Sequence, residues 1–92
     1  MKCAVGVLAT ILTVSSTAAF ANAAAGDTCA MKLNGDSFLV YAASMADKPT
    51  RGNWQSVVEA QTKLLASGNR IAAGTARDSE TAAGSCVKAA VE

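Results

Sequence analysis

Two cysteines carry the clearest potential for chemistry in this sequence. Cys29 ends the stretch AAGDTC, and Cys86 ends the later stretch AAGSC. In an oxidising compartment such a pair forms a disulfide, and closing a loop of this span stabilises a folded chain by roughly 4 kcal/mol. We therefore expect Cys29 and Cys86 to form one intramolecular, structural disulfide.

Other uses of the two thiols have less support from the surrounding residues. Intermolecular pairing is compatible with the spacing, but a redox site is typically a C-x-x-C motif, which the sequence lacks. A zinc or copper site needs further soft ligands, and the chain contains no histidine. We expect no metal and no cofactor.

The remaining residue types do not form a recognisable catalytic set. Without histidine, neither a Ser-His-Asp nor a Cys-His arrangement exists, and the glycines do not form a phosphate-binding motif. Asp78 and Glu80 are spaced like residues that cap a helix, and nothing selects Ser56 with Lys63 as an activated nucleophile. We expect that the protein is not an enzyme.

The amino terminus reads as a targeting segment rather than as part of the fold. Residues 1–21 combine a basic start, an uncharged apolar run over residues 4–14, and small residues in A-x-A spacing that end at Ala21. This order is typical of a secretory signal peptide. We predict cleavage after Ala21, with Ala23 and Ala25 as alternatives, and hence a periplasmic or secreted protein; an uncleaved membrane anchor is the competing interpretation.

The predicted mature chain, residues 22–92, has room for a single small domain, whose first residues we expect to be flexible. Removing Lys2 with the signal peptide leaves as many acidic as basic side chains. A neutral, mixed surface creates no field that attracts nucleic acid or anionic lipid, so we expect neither partner and no membrane association after cleavage. A core of this size is marginal by itself, which makes the disulfide important.

Residues 54–67, WQSVVEAQTKLLAS, are the clearest helix in the sequence. Asn53 can cap its start, and Gly68 and Asn69 can supply the left-handed residue that ends it. Its predicted apolar stripe consists of Trp54, Val57, Val58, Gln61, Leu64 and Leu65.

The carboxyl-terminal stretch, SETAAGSCVKAAVE, also has helical spacing. Asp78 or Ser79 can cap it, and Cys86 falls on the stripe that would face the core. Residues 66–79 connect it to the preceding helix and have only Ile71 as a large apolar side chain, so we expect a mobile connection or a weak helical turn.

Residues 30–46 are compatible with two structures. Asn34-Gly35 between apolar runs favours a hairpin, whereas Asp36 or Ser37 can cap a helix with the sequence FLVYAASMAD. Two strands without a third are marginal in water, and no other segment reads as a strand, so we prefer the helix.

The fold class that follows is all-α: a small bundle of two to four short helices closed by one disulfide. In this interpretation Thr28 caps a short helix that ends at Asn34-Gly35. The alternative is an α+β fold with an amino-terminal hairpin around Asn34-Gly35.

Since catalysis is not supported, we expect an exported protein that acts by binding another protein. Aromatic side chains dominate protein interfaces, which makes Phe38, Tyr41 and Trp54 the candidate contact residues. A secreted inhibitor, an immunity protein or an antimicrobial peptide are alternatives within the same noncatalytic class.

A short part of the sequence resembles the periplasmic acid-stress chaperones of the HdeA/HdeB type. The resemblance rests on Thr28-Cys29 followed by Phe38-Leu39, a "TC" and an "FL" near the start of the mature chain, although their separation here is longer than in that family. It implies a small exported helical protein with one disulfide that prevents client aggregation in acid.

Overall fold

The computed structural model describes residues 22–92, and the predicted signal peptide lies outside this range. Within it the chain forms four α-helices and no β-strand. The helices are α1 (Ala23–Ala30), α2 (Gly35–Ala46), α3 (Trp54–Ser67) and α4 (Ala76–Val91), and a 3-10 turn, Ala73–Thr75, leads into α4. The prediction of an all-α bundle is confirmed.

Helix α4 is the centre of the bundle. It packs against α1, α2 and α3, and α2 also packs against α3. Its buried residues recur at helical spacing and are Ser79, Ala83, Gly84, Cys86, Val87 and Ala90. Because four of these six have side chains no larger than that of serine, the neighbouring backbones can approach α4 closely.

The core combines one to three apolar side chains from each helix and one from the connection between α3 and α4. Val40 from α2, Val58 from α3 and Val87 from α4 are almost fully buried. Ile71, the single large apolar residue of the connection, is 4% exposed and joins the same cluster. The connection predicted to be mobile is thus anchored by its one large side chain.

The Asn34-Gly35 pair starts helix α2 instead of turning a hairpin, so the α+β alternative is wrong. A type I′ hairpin turn needs positive φ at both residues, but Asn34 has a φ of −74° and Gly35 does not have a positive φ. The side-chain oxygen of Asn34 accepts a hydrogen bond of 2.8 Å from the backbone N–H of Ser37. Asn34 is therefore the helix cap, and α2 begins earlier than a cap at Asp36 or Ser37 would allow.

Helix α1 lies earlier in the chain than predicted. We expected Thr28 to cap a helix ending at Asn34-Gly35 and the residues just after residue 21 to be flexible, but residues 23–30 are helical and Thr28 is inside the helix. The Thr28 hydroxyl donates a 2.9 Å hydrogen bond to the carbonyl of Ala24. The run of alanines before Gly26 explains the shift, since alanine has the highest helix propensity.

The bounds predicted for α3 are confirmed, but its buried face is rotated from the predicted stripe. Leu64 is 65% exposed, whereas Thr62 is buried and its hydroxyl donates a 2.8 Å hydrogen bond to the carbonyl of Val58. This bond lets a polar side chain occupy the core face. The left-handed residue that ends α3 is Asn69, with a φ of 60°.

We predicted that Asn53 caps α3 and that Asp78 or Ser79 caps α4, but neither helix is capped in this way. The Asn53 side chain accepts a 2.7 Å hydrogen bond from the N–H of Thr50, upstream of α3. Helix α4 begins at Ala76, before Asp78 and Ser79, because the 3-10 turn leads directly into it. Both side chains are within the helix, and that of Ser79 is buried.

Candidate functional site

The disulfide joins α1 to the middle of α4. Cys29 and Cys86 are bonded, with their Cα atoms 5.3 Å apart. Cys86 is fully buried on the core stripe of α4, as its spacing predicted, while Cys29 is only partly buried. The bond therefore fixes the shortest helix of the bundle to its central helix.

Gly26 lets α1 lie directly on α4 next to this bond. A Cβ atom at position 26 would overlap the Cβ of Ala90 and would come within 2.8 Å of the Tyr41 hydroxyl. Real Cβ atoms do not approach other atoms so closely, because packed interiors leave no such space. Glycine is therefore required here by the contact between helices.

Tyr41 extends the same contact from α2. Its ring is 5% exposed, and its hydroxyl donates a 3.0 Å hydrogen bond to a carboxylate oxygen of Asp27 on α1. Burial raises the pKa of Tyr41 to about 12, and the hydrogen bond to Asp27 and the negative charge of Asp27 act in the same direction. The neutral phenol is thus the form that the folded chain holds.

A groove runs between α3 and α4 on another part of the molecule. Its volume is about 700 Å³, within the range of small-molecule pockets but open to solvent along its length. Trp54, Val58 and Gly84 form its floor, where the Trp54 ring lies in ordinary contact distance of position 84, 3.5 Å from an ideal Cβ. We call this surface the Trp54 groove.

Polar side chains form the two edges of the Trp54 groove. They are Gln55, Ser56, Glu59, Arg77, Glu80, Thr81, Ser85 and Lys88. The edges carry two acids and two bases, and the Glu59–Lys63 pair at 3.8 Å is exposed on both sides and therefore weak. An apolar floor with polar edges of balanced charge is similar to the apolar centre and polar rim of protein interfaces.

The three aromatic residues proposed as contacts are in different environments. Trp54 is half-buried in the groove floor, and Phe38 is 47% exposed on α2, with its ring centroid 6.2 Å from that of Tyr41. Tyr41 itself is buried and bonded to Asp27. Of the three, Trp54 and Phe38 are accessible to a partner, and they are on different helices.

The groove was not predicted from the sequence. Six of its residues on α4 recur at positions 77, 80, 81, 84, 85 and 88. This is a helical face of polar residues around one glycine, and Gly84 is the only signal of a close approach that it contains.

Among residues 22–92, side chains that could act as acids or bases meet in pairs, such as Tyr41 with Asp27 and Glu59 with Lys63. No three cysteine or carboxylate side chains converge as a metal-binding group there. Asp78 and Glu80 are two apart on a helix and point to different surfaces, Glu80 into the Trp54 groove. Among the same residues, no helix is long and apolar enough to span a bilayer.

Comparison with protein families, with curated proteins and with solved structures finds no significant match to this chain. A function therefore has to be inferred from the residues and their geometry.

Proposed function

We propose that the protein is exported and acts without catalysis, by binding another protein through the Trp54 groove. The signal-peptide pattern of residues 1–21 and the disulfide support export. A disulfide and the absence of a membrane-spanning helix among residues 22–92 are compatible with it. The balanced acids and bases of the mature chain do not favour nucleic acid or anionic lipid as the partner.

The observation that carries the proposal is the construction of the groove floor. A large aromatic ring lies next to Gly84, with Val58 beside it and charged residues on either side. Tryptophan is the residue most enriched among the side chains that dominate binding energy, particularly where polar neighbours exclude water around it. The open shape suits a segment of a protein better than a small molecule that would need enclosure.

Site-specific photocrosslinking in the producing cells tests this proposal. A photoreactive amino acid at Ser85, on the groove edge, should form a discrete adduct with the partner. The same amino acid at Ala60, exposed on α3 but outside the groove, should not. Equal adducts from both positions, or none from Ser85 across growth conditions, would contradict the assignment.

A second pair of variants distinguishes binding through the groove from nonspecific binding by exposed apolar side chains. Trp54→Ala in the chain with the probe at Ser85 should weaken binding at least about tenfold. Leu64→Ala, which removes a side chain that is 65% exposed outside the groove, should leave the adduct unchanged. Far-UV circular dichroism of both variants checks that the helices are retained.

An acid-stress chaperone is the second candidate. Beyond the resemblance at Thr28-Cys29 and Phe38-Leu39, it is favoured by three large apolar side chains that are exposed among residues 22–92: Met31, Phe38 and Leu64. The expected result is suppression of client aggregation at about pH 2, where carboxylates are protonated, and loss of that activity after reduction. Aggregation that proceeds equally with and without the protein would rule the activity out.

A further inference from the structure

Helix α1 lies closely on α4 but contributes no large apolar side chain to the packing that holds it in place. Its sequence, AAAGDTCA, contains no large apolar side chain, and its buried residues are Gly26 and Ala30. An isolated helix of eight residues is unstable in water, because nucleation costs more than so few hydrogen bonds return. Something other than the apolar surface of α1 must therefore keep it on the bundle.

Besides the burial of Ala30, two hydrogen bonds, a close backbone approach and a covalent bond connect this segment to the other helices. The N–H of Asn22 donates a 3.3 Å hydrogen bond to the carbonyl of Ala90, and the Asp27 carboxylate accepts the bond from Tyr41. Gly26 lies against Ala90. The covalent bond joins Cys29 to Cys86.

Ala30 is the one residue that α1 adds to the core cluster, and the rest of the cluster comes from the other three helices and the connection between α3 and α4. Val40, Val58 and Val87 come from α2, α3 and α4, and without Ala30 the cluster still contains Tyr41, Ile71, Ala83 and Cys86. These helices contact one another in all three pairs. Hydrogen exchange commonly finds that such a self-contained group stays folded when a peripheral element opens.

We propose that α1 with Asn22 is a strap locked by the Cys29–Cys86 bond, and that reduction by a dithiol releases the strap while α2, α3 and α4 remain folded. Release uncovers the surface on which the strap rests, formed by Tyr41, Cys86 and Ala90. The strap is separate from the Trp54 groove. The groove lies between α3 and α4, includes no residue of α1, and stays intact when the strap is released.

The chemistry is a thiol–disulfide exchange with a dithiol as the reductant. One thiolate of the dithiol attacks the sulfur of Cys29, which is the more accessible one, and the Cys86 sulfur leaves as a thiolate that takes up a proton. The second thiol of the reductant then attacks the mixed disulfide and releases Cys29. The protein gains two electrons and two protons, and the dithiol becomes a disulfide.

Hydrogen exchange of the mature chain, followed by mass spectrometry with and without dithiothreitol, tests the strap. Amides of residues 23–30 should exchange on the order of 10²-fold faster after reduction, while those of α2, α3 and α4 keep their protection. Unchanged protection of residues 23–30 would overturn the proposal, because the strap would then be held without the bond. Simultaneous loss of protection in all helices would also overturn it, because the bond would then support the whole bundle.

Two single residues give an independent readout in solution. The chain contains one tyrosine and one tryptophan, and Tyr41 lies under the strap whereas Trp54 lies in the groove. After reduction, the pKa of Tyr41 read from tyrosinate absorbance should fall from about 12 towards its ordinary value of about 10. Trp54 fluorescence at neutral pH should remain that of the folded chain; a Tyr41 pKa that does not move contradicts release.

A matched pair of glycine variants loosens the strap without touching the disulfide. Gly26→Ala introduces a methyl group against Ala90 and should raise exchange in residues 23–30 of the oxidised chain. Gly35→Ala makes the same change where no atom lies within 4 Å of the new Cβ. It should leave exchange in residues 23–30 as in the parent chain; an equal effect of both variants would overturn the role given to the α1–α4 contact.

Discussion

Helix α4 packs against both α1 and α3, and these two contacts are held together in different ways. On the α1 side, small residues, a buried hydroxyl and a covalent bond hold a short helix that brings almost no apolar surface. On the α3 side, the larger side chains of Trp54 and Val58 pack over Gly84 of α4, and the half-buried Trp54 remains accessible in a groove. The difference shows that α4 can hold one helix through a covalent bond and close approach and still form one wall of an open groove with another.

Removing the disulfide, which holds α1 on α4, is expected to have the largest effect on stability. The double variant Cys29→Ser/Cys86→Ala should lower the free energy of unfolding by about 2–4 kcal/mol, because the unfolded chain regains the entropy of an open loop. Urea denaturation followed by Trp54 fluorescence measures this loss. A variant as stable as the oxidised chain would show that the clamp contributes nothing to the bundle.

Alanine at position 26 should lower the free energy of unfolding, whereas alanine at position 84 should raise it. Of the two substitutions, Gly26→Ala gives the larger change. The new methyl overlaps Ala90 and crowds the Tyr41 hydroxyl, so the free energy of unfolding should fall by about 1–3 kcal/mol. The control Gly35→Ala, with open space around its Cβ, should be neutral or slightly stabilising. Thermal unfolding of both variants provides the comparison.

Tyr41→Phe is expected to have an intermediate effect that depends on pH. At neutral pH the loss of the 3.0 Å bond to Asp27 should cost about 0.5–1.5 kcal/mol. Because the pKa of Tyr41 is raised to about 12 in the folded chain, its contribution is complete below pH 10 and is lost as the pH rises from 10 to 12.

The parent chain should therefore lose stability in that alkaline window by more than Tyr41→Phe does. Urea midpoints of both chains at a series of pH values make the comparison, which cancels the effects of lysine deprotonation common to both. Parallel pH profiles would mean that the phenol does not sense the α1 contact.

Gly84→Ala should change the free energy of unfolding least, and it is the counterpart of Gly26→Ala. Its Cβ would meet Trp54 at 3.5 Å and Val58 at 3.9 Å, which are ordinary contact distances. Alanine is the better helix former, so the free energy of unfolding should rise by about 0.5–1 kcal/mol. A destabilisation measured by thermal unfolding would mean that the groove floor is packed as tightly as the α1–α4 contact.

Prediction from the sequence succeeded where one local signal dominated. The 3.6-residue repeat of residues 54–67 placed α3 correctly, and Cys86 was assigned to the core stripe of α4 by its spacing. It failed where two local signals competed. Asn34-Gly35 suits both a turn and a helix cap. Thr62 and Leu64 are two residues apart and so on nearly opposite sides of α3, and the positions of α2 and α4 decide which of the two is buried.

The candidate sites divide in the same way. The disulfide pair was predictable, because only two cysteines follow the predicted signal peptide. The Trp54 groove was not, since its edges come from two helices whose relative placement no short-range pattern specifies. Tyr41 looked like a surface anchor by residue type, and only the packed structure shows it buried against Asp27.

By itself, the sequence determined the helical character of the chain, the bounds of α3, the pairing of Cys29 with Cys86 and the lack of a histidine-based site, since these depend on propensity, periodicity and composition. The tertiary structure alone decided that Gly26 lies at a helix–helix contact, that Gly84 lies in the floor of a groove, and that the ring of Tyr41 is buried. The physical reason is that close packing is a property of pairs of surfaces: Gly26 and Gly84 are both helical glycines in sequence, but Ala90 meets one and Trp54 the other.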